Sequence, residues 1–141
     1  LIVGRENVHR AELAGRIRLE KEDAKNLSYS SARFGAVISN SIIHHIPQPA
    51  RVLAEMVRVV KPGGILFIRD LLRPETEEEL RRLVATYAGE SNFHQQQMFA
   101  DSLHAALSLT EIRDLVASMQ FDPKEIRQTT DRHWTWCARN K

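Results

Sequence analysis

Cysteine is almost absent from this chain: Cys137 is the single one among 141 residues, so no intrachain disulfide can form. No spacing of cysteine and histidine resembles a zinc site, and a metal is therefore not expected. Long apolar runs are missing as well, because no stretch reaches the roughly 18 residues of a membrane-spanning helix. No basic segment followed by an apolar one opens the chain, as in a secretory signal. These absences predict a soluble, cytoplasmic protein.

Charge of one sign is not concentrated anywhere in the sequence. The 20 Lys and Arg residues are scattered among 18 Asp and Glu residues, for a net charge of +2, and no basic run indicates a nucleic-acid surface. A hydrophobic content of 43% suits one globular domain. The chain starts at Leu1, without an initiator Met and already inside a predicted helix, so we expect residues 1–141 to form a single partial domain.

Short apolar runs alternate with segments of helical spacing along the chain. Residues 34–39 and 65–68 are nearly continuous apolar runs, typical of strands covered on both faces. Between them, apolar residues recur at helical spacing over 50–60. The polar tract 89–108 is predicted as irregular, with at most a short helix. The same criteria predict helices at 1–14, from Pro74 to about Ala88 and from Thr110 to Met119, a strand at 17–20, and a hairpin of 125–129 with 134–138.

Strands that alternate with helices predict an α/β fold, with a mostly parallel, doubly wound sheet, helices on both of its faces and a C-terminal antiparallel hairpin. In such sheets, ligands bind beyond the carboxyl ends of the strands. Asp23, Asn40 and Asp70 each follow a predicted strand and are therefore candidate site residues. Trp134 and Trp136, two apart in a strand, share one face and are predicted to lie in the core.

Two motifs connect this pattern to a known family. The tract 34–45, FGAVISNSIIHH, and the tract 55–64, EMVRVVKPGG, closely resemble the class I (Rossmann-like) S-adenosylmethionine-dependent methyltransferases of the ubiquinone/menaquinone type. Asp23-Ala24 and the late hairpin match the same family in the same order. In that family the sheet has seven strands in the order 3-2-1-4-5-7-6. The resemblance implies that this chain is N-terminally truncated and supplies strands three to seven, with the first two strands missing.

The resemblance also implies which residues hold S-adenosylmethionine. Asp23 corresponds to the acidic residue that accepts a hydrogen bond from the adenine amino group, and Ala24 to the residue whose backbone N–H reaches an adenine ring nitrogen. Asn40 corresponds to the family's contact with the methionine part of the cofactor. The competing interpretation of Asp23 is a loop residue that caps a turn.

Three side chains near this cleft are candidates for a base that removes a proton from the methyl acceptor: His44, His45 and Asp70. Adjacent residues do not share a helix face, so we expect at most one of the two histidines to face the substrate. The alternative is that the histidines shape the cleft and cap the following helix. For Asp70, the alternative is a structural or cleft-lining carboxylate.

Two elements of the family pattern are absent: no G-x-G-x-G follows a strand in this sequence, and the acidic residue that would hold the ribose hydroxyls at the end of the second strand is missing too. We therefore expect the chain alone to bind S-adenosylmethionine weakly or not at all. The expected function is methyl transfer from S-adenosylmethionine to a small-molecule acceptor. The alternative is a non-catalytic remnant or interaction domain that has kept the sheet and lost the cofactor site. A nicotinamide dehydrogenase is a distant third, since its fingerprint is also absent.

Overall fold

A computed structural model describes residues 1–141 and contains one four-stranded sheet and five α-helices. The strands are β1 (Phe34–Asn40), β2 (Val60–Leu71), β3 (Ile126–Thr130) and β4 (His133–Arg139). The α-helices are α1 (Ile2–Arg10), α2 (Pro49–Val59), α3 (Glu77–Ala88), α4 (Phe93–Ala105) and α5 (Leu109–Ser118). Two 3₁₀ helices span Ile43–His45 and Pro123–Glu125.

The sheet has the strand order β1-β2-β4-β3. β1 and β2 are parallel, whereas β4 runs antiparallel to both of its neighbours. This is the order 4-5-7-6 that the family resemblance predicts for strands four to seven. The predicted hairpin at the end of the chain is confirmed.

One face of the sheet, here called the core face, carries the main hydrophobic core. Successive side chains of β2 point to opposite faces of the sheet, and Leu66 and Ile68 point to the core face. Helices α2 and α5 cover them there. Trp134 and Trp136 of β4 lie on the same face and are fully buried, which confirms their prediction as core residues. Other members of this cluster come from the two helices: Val52, Leu53, Met56, Ile112 and Val116.

The opposite face, here called the outer face, is covered only at the end of β2. Leu71 points outward there and joins a second cluster with Leu80 and Leu83 of α3 and Leu103 of α4. Farther back along the strands, Ile38 is 74% exposed and Phe67 is 39% exposed. The sheet therefore has helices on both faces, but the outer face is open over most of β1 and the first half of β2. The prediction that both strands are covered on both faces is wrong for these parts.

The prediction of a strand at 17–20 is wrong. The alternating residues there have no hydrogen-bonded neighbour, and the Ile17 N–H bonds to the Leu13 carbonyl at 2.8 Å in a turn. A strand exists only through its ladder partner, so local alternation is not sufficient. The preceding helix α1 ends at Arg10, before the predicted limit, and buries none of its residues.

The prediction that 89–108 is irregular, with at most a short helix, also needs correction. The tract contains the 13-residue helix α4. Asn92 caps this helix: its side chain accepts from the Gln95 N–H, while the Gln95 side chain accepts from the Asn92 N–H. The flanking helices also begin at other residues than predicted, α3 at Glu77 and α5 at Leu109. Thr76 caps α3 two residues after Pro74, and Ser108 caps α5 instead of Thr110.

Candidate active site

The Asp70 carboxylate joins the ends of β1 and β2. It is 1% exposed at the end of β2 and points to the core face. Its Oδ2 accepts from the backbone N–H groups of Ile42 and Ile43 at 2.9 and 2.6 Å, and its Oδ1 accepts from the Leu71 N–H at 2.7 Å. These three N–H groups find their acceptor in one carboxylate, so Asp70 fixes the chain that leaves β1.

The same carboxylate holds His44. The Nδ1 atom of His44 lies 2.5 Å from Asp70 Oδ1, and only 5% of the His44 side chain is exposed. If Nδ1–H donates to the carboxylate, Nε2 keeps the lone pair. The His45 ring lies against the His44 ring, with centroids 3.9 Å apart, and His45 is exposed. The three predicted base candidates therefore form one contiguous group, in which only His45 reaches the surface.

Helix α4 packs against the 3₁₀ helix that contains these histidines. The polar tract in which α4 lies is thus adjacent to the candidate site. Phe93 and Met98 of α4 are large apolar residues that remain 81% and 56% exposed. The spacing of Asn92 and Gln95 in the sequence is typical of a capping box and indicated the start of α4.

Asn40 ends β1 on the outer face of the sheet. It is exposed, and its side chain forms no hydrogen bond within the chain. Its register partner on β2 is Arg69, whose partner on β4 is in turn Thr135. The carboxyl end of the sheet therefore has two polar sides: Asp70 and His44 on the core face, and Asn40 with Arg69 on the outer face.

Asp23 and Ala24 lie in a turn before β1. The Asp23 Oδ1 accepts from the Lys25 N–H at 3.0 Å and from the Lys25 ammonium at 2.8 Å, while Oδ2 has no partner in the chain. The ammonium lowers the pKa of Asp23 below its ordinary value, so the carboxylate is ionised at neutral pH. Ala24 packs against the main core, and its N–H makes no hydrogen bond within the chain. Asp23 thus caps a turn through Oδ1, while its Oδ2 remains a free acceptor and the N–H of the next residue, Ala24, a free donor.

A pair of side chains on α2 holds the loop that follows this turn. Arg58 contacts both carboxylate oxygens of Glu55 at 2.7 Å, and Glu55 also accepts from the Leu27 N–H at 2.8 Å. The guanidinium in turn donates to the carbonyl oxygens of Leu27 and Tyr29 at 3.1 and 2.8 Å. Sequence reasoning missed this pair, whose spacing of three residues on a helix was its only local signal. Glu55 and Arg58 anchor the loop between Ala24 and β1.

We expect Glu55→Gln to lower the free energy of unfolding at pH 7 by about 1 kcal/mol, because a half-buried, charge-assisted pair is lost. The Arg58 hydrogen bonds hold the pKa of Glu55 below its ordinary value of 4.5. The pair therefore stabilises the fold fully above pH 4.5, and this contribution is lost as the pH falls through the lowered pKa. Urea unfolding measured from pH 7 downward should show the two proteins converging.

A matched control for this prediction is Glu6→Gln on the exposed helix α1, where the carboxylate forms no ion pair. We expect it to change stability by less than about 0.5 kcal/mol at any pH. A difference between wild type and Glu55→Gln that is the same at pH 7 and at acid pH would contradict the proposed role of the charge.

Known methyltransferases are similar to this chain in sequence. A model described as "Methyltransferase domain" matches residues 1–68. The 27-O-demethylrifamycin SV methyltransferase of Amycolatopsis mediterranei is 27% identical over 137 residues, which cover 94% of this chain and 47% of that protein. The demethylmenaquinone methyltransferase of Bacteroides fragilis is 37% identical over 73 residues, 52% of this chain and 30% of that protein. Residues 1–68 thus match a methyltransferase-domain model, and the chain has the fold of the Rossmann-like methyltransferases.

Solved structures support the same methyltransferase fold. A SAM-dependent methyltransferase from Aquifex aeolicus superposes with a TM-score of 0.60 over 96% of this chain and 61% of that structure, at 15% identity. The chain spans about half, or less, of the length of the two curated methyltransferases named above. None of the five α-helices combines the length and apolar character that a membrane crossing requires.

Proposed function

We propose that this methyltransferase chain transfers a methyl group from S-adenosylmethionine to a small-molecule acceptor. The observation that carries the proposal is the geometry of Asp23-Ala24, where an ionised carboxylate oxygen without a partner stands beside an unpaired backbone N–H. Adenine offers the complement, since its amino group donates and the adjacent ring nitrogen accepts. The residues present therefore fit the adenine part of the cofactor.

Asn40 would contact the methionine part of the cofactor. Its exposed amide can both donate and accept, which suits a group that carries an ammonium and a carboxylate. It follows β1 at the end of the parallel strand pair, where sheets of this class bind their ligands. The sulfonium of S-adenosylmethionine supplies an activated methyl group, so the protein mainly aligns donor and acceptor.

His45 is our choice for the base that contacts the acceptor, because it is the exposed member of the histidine pair. His44 and Asp70 are then positioning residues. Asp70 holds His44 through a 2.5 Å contact and fixes the backbone at Ile43, and the His44 ring supports the His45 ring. In this arrangement the acceptor proton passes to the His45 imidazole when the acceptor group carries one.

The adenine contact is tested by comparing two nucleosides with the wild-type chain and with Asp23→Ala. We expect the wild type to bind adenosine more tightly than inosine, whose base lacks the amino donor. Asp23→Ala should weaken adenosine binding by about tenfold and abolish this preference, because a hydrogen bond to a charged acceptor is lost. Amide chemical shifts in NMR titrations measure these affinities, which we expect to be weak for this chain alone.

The matched control is Asp114→Ala, which removes an exposed carboxylate that has no partner on α5. It should leave both affinities unchanged. Equal binding of adenosine and inosine by the wild type would contradict the assignment of Asp23 and would favour the alternative of a domain without a cofactor site.

A further inference from the structure

Arg69 is a half-buried cation that no carboxylate of this chain neutralises. It lies on the outer face of β2, and its guanidinium takes part in none of the ion pairs of the structure. Its Nε is shielded from solvent and has no hydrogen-bond partner, while Nη2 lies 3.1 Å from Nδ1 of His133. A buried donor without a partner is costly, and a charged one especially so, which indicates that a ligand completes the site.

The imidazole of His133 does not offset this charge. Its Nδ1 also lies 2.8 Å from the Thr130 hydroxyl, and because a guanidinium can only donate, Nδ1 must accept and carry no proton. Burial, followed by the charge of Arg69, lowers the pKa of His133 below its ordinary value of 6.5. His133 is therefore neutral at pH 7 and serves to orient the guanidinium.

The two carboxylates whose charge acts on the neighbouring His133, Asp70 and Asp131, are engaged elsewhere. The Asp70 carboxylate points to the core face, where it accepts from Ile42 and Ile43. Asp131 accepts from the Tyr87 hydroxyl at 2.7 Å and lies 3.0 Å from the guanidinium of its neighbour Arg132. Neither carboxylate is available to Arg69.

We propose that Arg69 binds an anionic oxygen of the methyl acceptor, such as a carboxylate or a phenolate. Arg69 and Asn40 are register partners on neighbouring strands, so an anion at the guanidinium lies beside the residue assigned to the cofactor. The fork of a guanidinium matches two oxygens or one oxyanion with directed N–H groups. The inference rests on the proposed function and narrows the acceptor to an acidic small molecule.

The test uses benzoate as the probe and benzamide as its neutral counterpart. We expect benzoate, but not benzamide, to shift the Nε–H resonance of Arg69 in NMR spectra of the whole chain, with saturation. Arg69→Gln should weaken benzoate binding by about tenfold or more, as expected for loss of a charge-assisted hydrogen bond. Arg139→Gln is the matched control, because Arg139 lies on the same face at the opposite end of the sheet, and it should bind benzoate as the wild type does.

Two results would overturn the assignment. The first is equal action of benzoate and benzamide on wild-type Arg69, a comparison that needs no variant to fold. The second is a shift of the Arg69 Nε–H by S-adenosylhomocysteine equal to that by benzoate, which would make the cofactor's own carboxylate the anion. The benzoate titration requires no cofactor, so its failure leaves the adenine contact at Asp23 intact, and failure at Asp23 leaves the anion site intact.

Discussion

Asp70→Ala is expected to lower the free energy of unfolding by about 3 to 5 kcal/mol, the range for breaking a buried charged interaction. The substitution removes the acceptor for three backbone N–H groups and for the His44 ring, all at the junction of β1 and β2. These donors become buried without partners, and each such group costs about 1 to 3 kcal/mol. Urea unfolding followed by circular dichroism measures the loss.

Asp70→Asn sharpens this prediction because it preserves the shape of the side chain. An amide keeps one acceptor oxygen and places an NH₂ group against donors, so we expect most of the loss to remain. The control Asp114→Asn should change stability by less than about 0.5 kcal/mol. Hydrogen exchange at the Ile42 and Ile43 amides gives a local readout, and we expect it to accelerate in both Asp70 variants. Unchanged exchange there would show that Asp70 is not the anchor of this loop.

Trp136→Ala is expected to cost about 3 to 5 kcal/mol, as usual for truncation of a large aromatic core residue. Trp136 is fully buried, and its ring meets Phe121 edge to face with centroids 5.1 Å apart. Its Nε1 donates to Glu125 at 3.2 Å, so a polar contact is lost together with the packing. The effect is measured by urea unfolding under the conditions used for Asp70→Ala.

Phe67→Ala is the matched control for the tryptophan, because Phe67 is an aromatic residue on the adjacent strand that points to the outer face and is 39% exposed. We expect a loss of only about 1 to 2 kcal/mol, in proportion to the apolar area that is removed from water. Equal losses for the two variants would contradict the assignment of the core to one face of the sheet.

Local sequence patterns predicted the strands and the helix that contribute residues to the main core. The runs around Val37 and Leu66 contain the residues that edge strand β1 and central strand β2 turn toward the main core, and the helical spacing of Val52 and Met56 reflects the face that α2 buries. These patterns explain why the elements themselves and the core tryptophans were predictable, whereas the strand order came from the family resemblance. Asn40 and Asp70 could be selected because they follow such strands.

The remaining features depend on contacts between distant parts of the chain. Residues 17–20 alternate like a strand but have no partner for a ladder, and alternation alone does not provide one. The four donors around Asp70 and the unpaired Nε of Arg69 become visible only when β1 and β2 lie side by side. Helix α4 has weak apolar periodicity, so its capping box was the only local indication of it.

We propose that residues 23–24 and 40 contact S-adenosylmethionine. The most direct measurement is an NMR titration of the wild-type chain with S-adenosylhomocysteine, followed through the backbone amides. We expect weak binding, with the largest shifts at Ala24, Asn40 and the segment 41–45. An absence of shifts at these amides, or shifts confined to other parts of the fold, would contradict it.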